Sequence, residues 1–225
     1  MLFKFLEKQY LSAFFSCGSI RIGTIYDFKD TVAHTSARSD ISEGKHQIFR
    51  GFTSRDEFTN IDNEPIINDI FKISGEGAVS FENVSFNATR DSGDGFIFCT
   101  SRYYSKKTFL KWHEDCFKND ACYAIINPGA FFDAITDKIR NSVYECLNAN
   151  IVYTTDPIPY DSPEANLNPA LTKEINKYSW QCENRSIWSP RLPPLRLRPF
   201  NIEVPEAIQF CEPLSYIQDG KIVKY

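Results

Sequence analysis

The chain has 225 residues, of which 42% are hydrophobic, 15% aromatic and 24% charged, with a net charge of −4. Its 19 Phe, 11 Tyr and 3 Trp exclude a disordered chain, and its 10 Gly and 12 Pro exclude a collagen-like or linker composition. The acidic balance excludes a fold-wide basic field for nucleic acid, and the length fits one globular domain spanning 1–225.

In chain order, Phe3, Leu6, Tyr10, Leu11 and Phe14 recur at helical spacing and predict a helix over Leu2 to Phe15. Lys4, Glu7 and Lys8 interrupt its apolar pattern, which argues for an amphipathic helix and against a secretory leader. With no apolar run of about 18 residues, no membrane span is predicted, and a cytoplasmic location is expected. Cys17-Gly18 reads as a helix stop, followed by an alternating strand over Ser19 to Ile25. Asp27 to Lys45 is polar and reads as a surface excursion, either a solvated loop or the border of a cleft that Arg38, Asp40 and Glu43 organise through charge pairs. Strands are expected at Ile70–Ile73, Ala78–Phe86 and Phe96–Cys99, the last after a turn in Asp91 to Gly95. Thr108–Phe117 reads as a helix, Cys122–Ile126 as a short buried strand, Ala130–Ile139 as a helix and Ala149–Thr154 as a strand. Asp156–Pro169 carries four Pro and reads as a connector, and Ala170–Tyr178 as a helical turn or two. Strands follow at Arg185–Trp188 and Asn201–Val204, then a hairpin in Tyr216–Tyr225 around Asp219-Gly220. Helices and strands alternate without a βαβ beat, which predicts an α+β fold with a split, bent pair of β-sheets and peripheral helices.

The seven Cys are scattered and form no CxxC, so neither a disulfide framework nor a zinc site is indicated, and no metal is expected. His113 with Cys116 and Cys122 is the nearest approach to a ligand cluster, and buried reduced thiols are the simpler reading. No GxGxxG, Walker loop or Gly-x-Ser-x-Gly elbow occurs, which excludes a Rossmann dehydrogenase, a P-loop NTPase and an elbow-type hydrolase.

Three dispersed features carry chemistry. Arg21 lies in the strand after Gly18; it is either a solvated arginine or a cleft residue whose planar fork suits a phosphate. Phe96 to Cys99 is an apolar strand ending in Thr100-Ser101, either a plain strand-to-turn transition or hydroxyls aimed at a ligand or carboxylate. The densest run is Lys177 to Trp188, in which Gln181, Glu183 and Arg185 share one face if extended. Its alternatives are a half-buried strand with charges outward, or a carboxylate held ionised by Lys or Arg and aimed at a ligand. The basic stretch with Arg191, Arg196 and Arg198 has no interleaved aromatic and reads as a solvated Pro-rich loop.

Taken in order, Arg21, then Cys99-Thr100-Ser101, then Gln181-Cys182-Glu183 resemble the ADP-ribosyltransferase layout of the Arg, Ser, Glu type, with Cys99 where that layout has a hydroxyl. The chain also resembles, over roughly residues 1–190, a family of uncharacterised bacterial proteins. That resemblance rests on Phe3-Lys4-Phe5-Leu6, Gly18 to Arg21, and Arg38-Ser39-Asp40-Ile41-Ser42-Glu43-Gly44. Phe98 to Ser101 with Trp112, and Lys177 to Trp188, complete it.

The first resemblance implies an ADP-ribosyltransferase-like fold and transfer of ADP-ribose from NAD⁺ as substrate. Glu183 would stabilise the oxocarbenium-like transition state and Gln181 would orient the acceptor. Arg21 would hold a phosphate, Ser101 or Thr100 would fix the Glu183 carboxylate, and Tyr178, Tyr103 or Tyr104 would stack on nicotinamide. The implied setting is a bacterial toxin or antiviral defence effector with a protein or nucleic-acid acceptor and an antitoxin as candidate partner. Two alternatives remain open: an NAD⁺ glycohydrolase, and a non-catalytic binding protein in which Arg21 and Glu183 form an ion pair.

Overall fold

The computed structural model describes residues 1–29, 39–59, 72, 75–116, 119–191 and 197–225, which form a mixed α+β fold, mostly sheet, with no closed barrel. Strand β1 (Leu2–Leu6) leads into α1 (Lys8–Cys17), and β2 (Ser19–Thr24) follows. Gly18 ends the helix in the left-handed region at φ 73°, and a Cβ there would meet the Val204 carbonyl at 2.3 Å, so glycine is needed on two counts. Strands β3 (Lys45–Phe52), β4 (Asp56–Thr59), β5 (Ala78–Phe81), β6 (Val84–Asp91) and β7 (Phe96–Ser101) come next. Helix α2 (Lys106–Asp115) starts where Ser105 accepts the Thr108 N–H, and α3 (Pro128–Ile139) starts on Asn127, which accepts from Ala130, with Pro128 in the first turn. Between them lies β8 (Ala121–Ile125); after them come β9 (Val143–Asn150), β10 (Val152–Thr154), β11 (Ile158–Pro159), β12 (Thr172–Glu174) and the single-turn α4 (Ile175–Tyr178). The chain closes with β13 (Glu183–Pro190), β14 (Phe200–Glu203) and the hairpin β15 (Cys211–Gln218) and β16 (Lys221–Lys224). Asp219 and Gly220, at φ 50° and 70°, give that hairpin the turn whose twist matches its strands.

Nine strands join one sheet, and its ladders are antiparallel. Its architecture turns on β7. One edge of β7 pairs with β13 along its length, and β13 continues to β9. The opposite edge is shared: Phe96 and Ile97 pair with β2, whereas Ser101 pairs with Phe3 of β1. The sheet therefore forks there into an arm β1–β8–β15–β16 and an arm β2–β14. Cys99 lies in the crotch, where the Lys4 ammonium donates to its carbonyl at 2.7 Å. Smaller sheets comprise β11–β3–β6, β10–β12 and β4–β5.

Alternation along the strands separates the two faces. One face of the main sheet, with Ile20, Ile22, Phe96, Phe98 and Trp188, packs on Leu11 and Phe14 of α1 and Phe131, Phe132 and Ile135 of α3. The other face carries Phe3, Phe5, Cys99, Glu183 and Arg185; α2 covers part of it through Phe109 and Trp112.

Several expectations change. Residues Leu2–Leu6 are a strand, because pairing with β8 in the register Phe3↔Ala124 and Phe5↔Cys122 overrides a short helical periodicity, and Tyr10 of that pattern is 55% exposed. Ala78–Phe86 divides into two strands at Asn83, whose φ is 52°. The polar segment Asp27 to Lys45 is not wholly a surface excursion, since Ser39 and Glu43 are buried. Asp156–Pro169 buries Ile158 and Ala165 under β3. The expected strand at Ile70–Ile73 (Lys72 apart), together with Arg38 and Arg196, lies outside the described residues.

Candidate functional site

The crotch of the fork is a pocket of about 90 Å³. Phe3 and Phe5 of β1 line one side, Phe28 beyond β2 the other, and Trp112 of α2 adds a further wall. The floor is Cys99 to Ser101 of β7 with Glu183 and Arg185 of β13, brought level by the registers Glu183↔Ser101 and Arg185↔Cys99. Glu43 and Lys173 approach from outside the main sheet.

Four charged side chains form one buried cluster. Arg185 is 1% exposed, and its five N–H groups are all engaged. Nε donates to Glu183 Oε1 at 2.7 Å and Nη2 reaches Glu183 Oε2 at 3.3 Å. The other edge forks onto Glu43, through Nη1 to Oε1 and through Nη2 to Oε2 at 2.9 Å, while Nη1 also donates to the Ala170 carbonyl at 2.6 Å. Lys173 Nζ donates to Glu183 Oε2 at 2.8 Å and to Gln181 Oε1 at 3.3 Å. Two cations and two anions thus cancel within a desolvated volume, which is the condition under which buried charge is tolerated. Burial works against the charge on Glu183, but the Arg185 guanidinium and the Lys173 ammonium outweigh it and hold the carboxyl well below the usual range. Lys173 and Arg185 are likewise desolvated, yet Glu183 and Glu43 keep both pKa values raised. Burial, then the Glu183 charge, pushes the Cys99 thiol far up and disfavours its thiolate.

The predicted residues fall into three groups. Glu183, Gln181, Ser101 and Thr100 all line the fork pocket. Their bonds differ from the expected ones. Ser101 Oγ lies 2.7 Å from the Gln181 carbonyl and 2.9 Å from the Tyr103 carbonyl, and Thr100 Oγ1 donates to the Asn184 carbonyl at 3.2 Å. Neither hydroxyl holds the Glu183 carboxylate; the cations do. Gln181 does not share an extended strand with Glu183, because it ends a 3-10 turn and Cys182 is left-handed at φ 45°, with β13 starting only at Glu183. The Tyr153 hydroxyl accepts the Glu183 N–H at 2.7 Å and fixes that start.

Arg21 is not in the pocket. Its side chain is 46% exposed and pairs with Asp27 at 2.6 Å, so the solvated reading of this arginine holds and no Arg21–Glu183 pair forms. Tyr178 lies elsewhere as well, in a neighbouring pocket of about 360 Å³ that also takes in Asp40, Ser42 and Asp156. Lys173 lines both pockets. Tyr103 is 54% exposed, and Tyr104 packs with Phe3, Phe5 and Phe109.

Lys173 was missed by sequence reasoning, whereas Glu43 was expected as a charge-pairing residue of a loop bordering the cleft and does pair there, with Arg185. Glu43 stands in the Arg-x-Asp-x-x-Glu-Gly stretch that the bacterial resemblance uses. Gly44, at φ 69°, places that carboxylate, since a Cβ there would meet Ile25 at 2.6 Å. The indole Nε1 of Trp112, a residue of the pocket wall, is buried with no hydrogen-bond partner among the described residues. No group of three or more His, Cys, Asp or Glu that could hold a metal occurs among the described residues, and no helix there is long and apolar enough to cross a membrane. No protein-family model, curated protein or solved structure matches the chain.

Proposed function

We propose that the fork pocket cleaves the glycosidic bond of NAD⁺, as an ADP-ribosyltransferase-like enzyme with an unidentified macromolecular acceptor, in the setting of a bacterial toxin or defence effector. The observation that carries this reading is the Glu183 carboxylate, held ionised on the floor of an aromatic-walled pocket by Arg185 and Lys173. When the C–N bond breaks, nicotinamide leaves with the bonding pair as a neutral ring and positive charge develops on the ribose. A fixed carboxylate beside that ribose lowers the barrier without reorganising. Glu43 offsets the guanidinium, so that Arg185 orients Glu183 with its own charge balanced.

A second reading, a binding protein with a structural ion network, is favoured by the saturation of Arg185 and by the position of Arg21 on Asp27. Incubation of the protein with NAD⁺ labelled on the adenosine side, with and without bacterial lysate, separates the two. Nicotinamide release, with label passing to a macromolecule or to free ADP-ribose, supports the enzyme. No release from a folded protein overturns it in favour of the binding protein.

A further inference from the structure

The outer pocket, which shares only Lys173 with the fork pocket, has a volume of about 360 Å³, on the scale of sites that hold small ligands. Its charges are unevenly committed. Lys45 pairs with Asp91 at 3.2 Å, Lys177 with Glu174 at 2.5 Å, and Lys173 with Glu183. Asp40 and Asp156 are in no ion pair among the described residues; Asp40 Oδ1 accepts the Ser42 N–H at 2.9 Å. Carboxylates beside the hydroxyls of Ser42 and Thr155 offer acceptors for adjacent O–H groups, and the pairing of Lys45, Lys173 and Lys177 with carboxylates weakens their pull on a phosphate. The Tyr178 ring, steadied by its hydroxyl on the Ser39 carbonyl at 3.4 Å, is a flat apolar plate at the wall.

We infer that the outer pocket is a binding site for a hydroxylated ring ligand, a sugar presented free or within a nucleotide, held by Asp40, Asp156 and Tyr178 and sensed at Glu183 through Lys173. The coupling is geometric. Two N–H groups of the Lys173 ammonium go inward to Gln181 and Glu183, Glu43 Oε2 lies further off at 3.8 Å, and its outward neighbour is the Tyr178 ring at 4.8 Å. A ligand hydroxyl over that ring accepts the third N–H and draws on the same ammonium that holds Glu183. This inference does not depend on the NAD⁺ reading, which concerns the other pocket.

Amide NMR of the full chain, titrated with D-ribose, ADP-ribose and inorganic pyrophosphate, tests it. D-ribose and ADP-ribose are expected to shift Ser42, Thr155 and Tyr178, with a smaller shift at Glu183, whereas pyrophosphate leaves them in place. Asp156→Asn, on an exposed residue, and Tyr178→Ala are each expected to weaken both sugars about tenfold, the loss of one charge-assisted hydrogen bond or one stacking plate. Shifts from pyrophosphate alone, shifts confined to the fork pocket, or no response to any probe overturn the inference. If the sugars bind but NAD⁺ is not cleaved, the catalytic proposal fails and this one stands. If NAD⁺ is cleaved with Ser42, Thr155 and Tyr178 unmoved, the reverse holds.

Discussion

The two pockets are built on opposite electrostatic terms, although one lysine belongs to both. In the fork pocket each buried charge faces an opposite one within hydrogen-bonding reach, and Glu183 is more acidic than a free carboxyl. In the outer pocket burial raises the pKa of Asp40, with the Glu43 charge adding to it. Tyr178 is pushed to about 12 by burial and by Asp40 and Glu43. A saturated cluster can orient and stabilise, but it has few bonding positions left for a ligand. A pocket with under-used acceptors has the opposite character. The contrast separates groups that hold the fold from groups that await a partner.

The largest expected effect comes from Arg185→Leu. It leaves the Glu43 and Glu183 carboxylates buried with only Lys173 between them and costs about 3–5 kcal/mol, read as a fall in the urea midpoint. A loss below about 1 kcal/mol would mean that the cluster is not desolvated, and the contrast would collapse.

Glu183→Gln comes next. It removes the charge from a carboxylate that accepts three hydrogen bonds from cations while keeping the shape, at a cost of about 1.5–3 kcal/mol, so NAD⁺ turnover of this variant must be read beside its circular dichroism and its melting curve. A well-folded variant with undiminished turnover would remove Glu183 from the chemistry.

An acid titration of stability sharpens the comparison. Glu183 has a folded value below its unfolded one, so its contribution is complete above the ordinary carboxylate range and is lost progressively as the pH falls from that range through the depressed folded value. His46, on the outer side, is lowered chiefly by burial, with the Arg90 charge acting in the same sense. The unfolded chain therefore binds its proton first, and stability begins to fall as the pH drops through about 6.5. The expected curve declines first at the histidine step and again in strong acid, and His46→Gln removes the first step only.

Two small effects complete the set. Arg21→Ala removes an exposed ion pair, costs less than about 1 kcal/mol and leaves NAD⁺ affinity unchanged by calorimetric titration. A large loss of affinity would return Arg21 to the site. Asp40→Asn changes stability by about 0.5 kcal/mol or less, with a rise more expected than a fall, because the substitution removes a charge that burial disfavours. A marked destabilisation would show that Asp40 is paired like the inner carboxylates.

What the sequence determined by itself is local. Gly18 was legible as a helix stop because its left-handed conformation is a property of one residue, and Asp219-Gly220 was legible as a hairpin turn for the same reason. Phe96 to Ser101 and the strand through Arg185 were legible because apolar runs bounded by turns need no partner to be recognised. Leu2–Leu6 was not, since its strand state is imposed by β7 and β8 from far along the chain. The site divides along the same line. Glu183, Gln181 and Ser101 stood out by their local company, whereas Glu43 and Lys173 reach it from segments that read as loop and helix. Only the tertiary structure decided that Arg185 would unite two carboxylates at Glu43 and Glu183 and that Arg21 would not join them. Buried ion pairing depends on which chain segments exclude water together, and no spacing along the sequence encodes that.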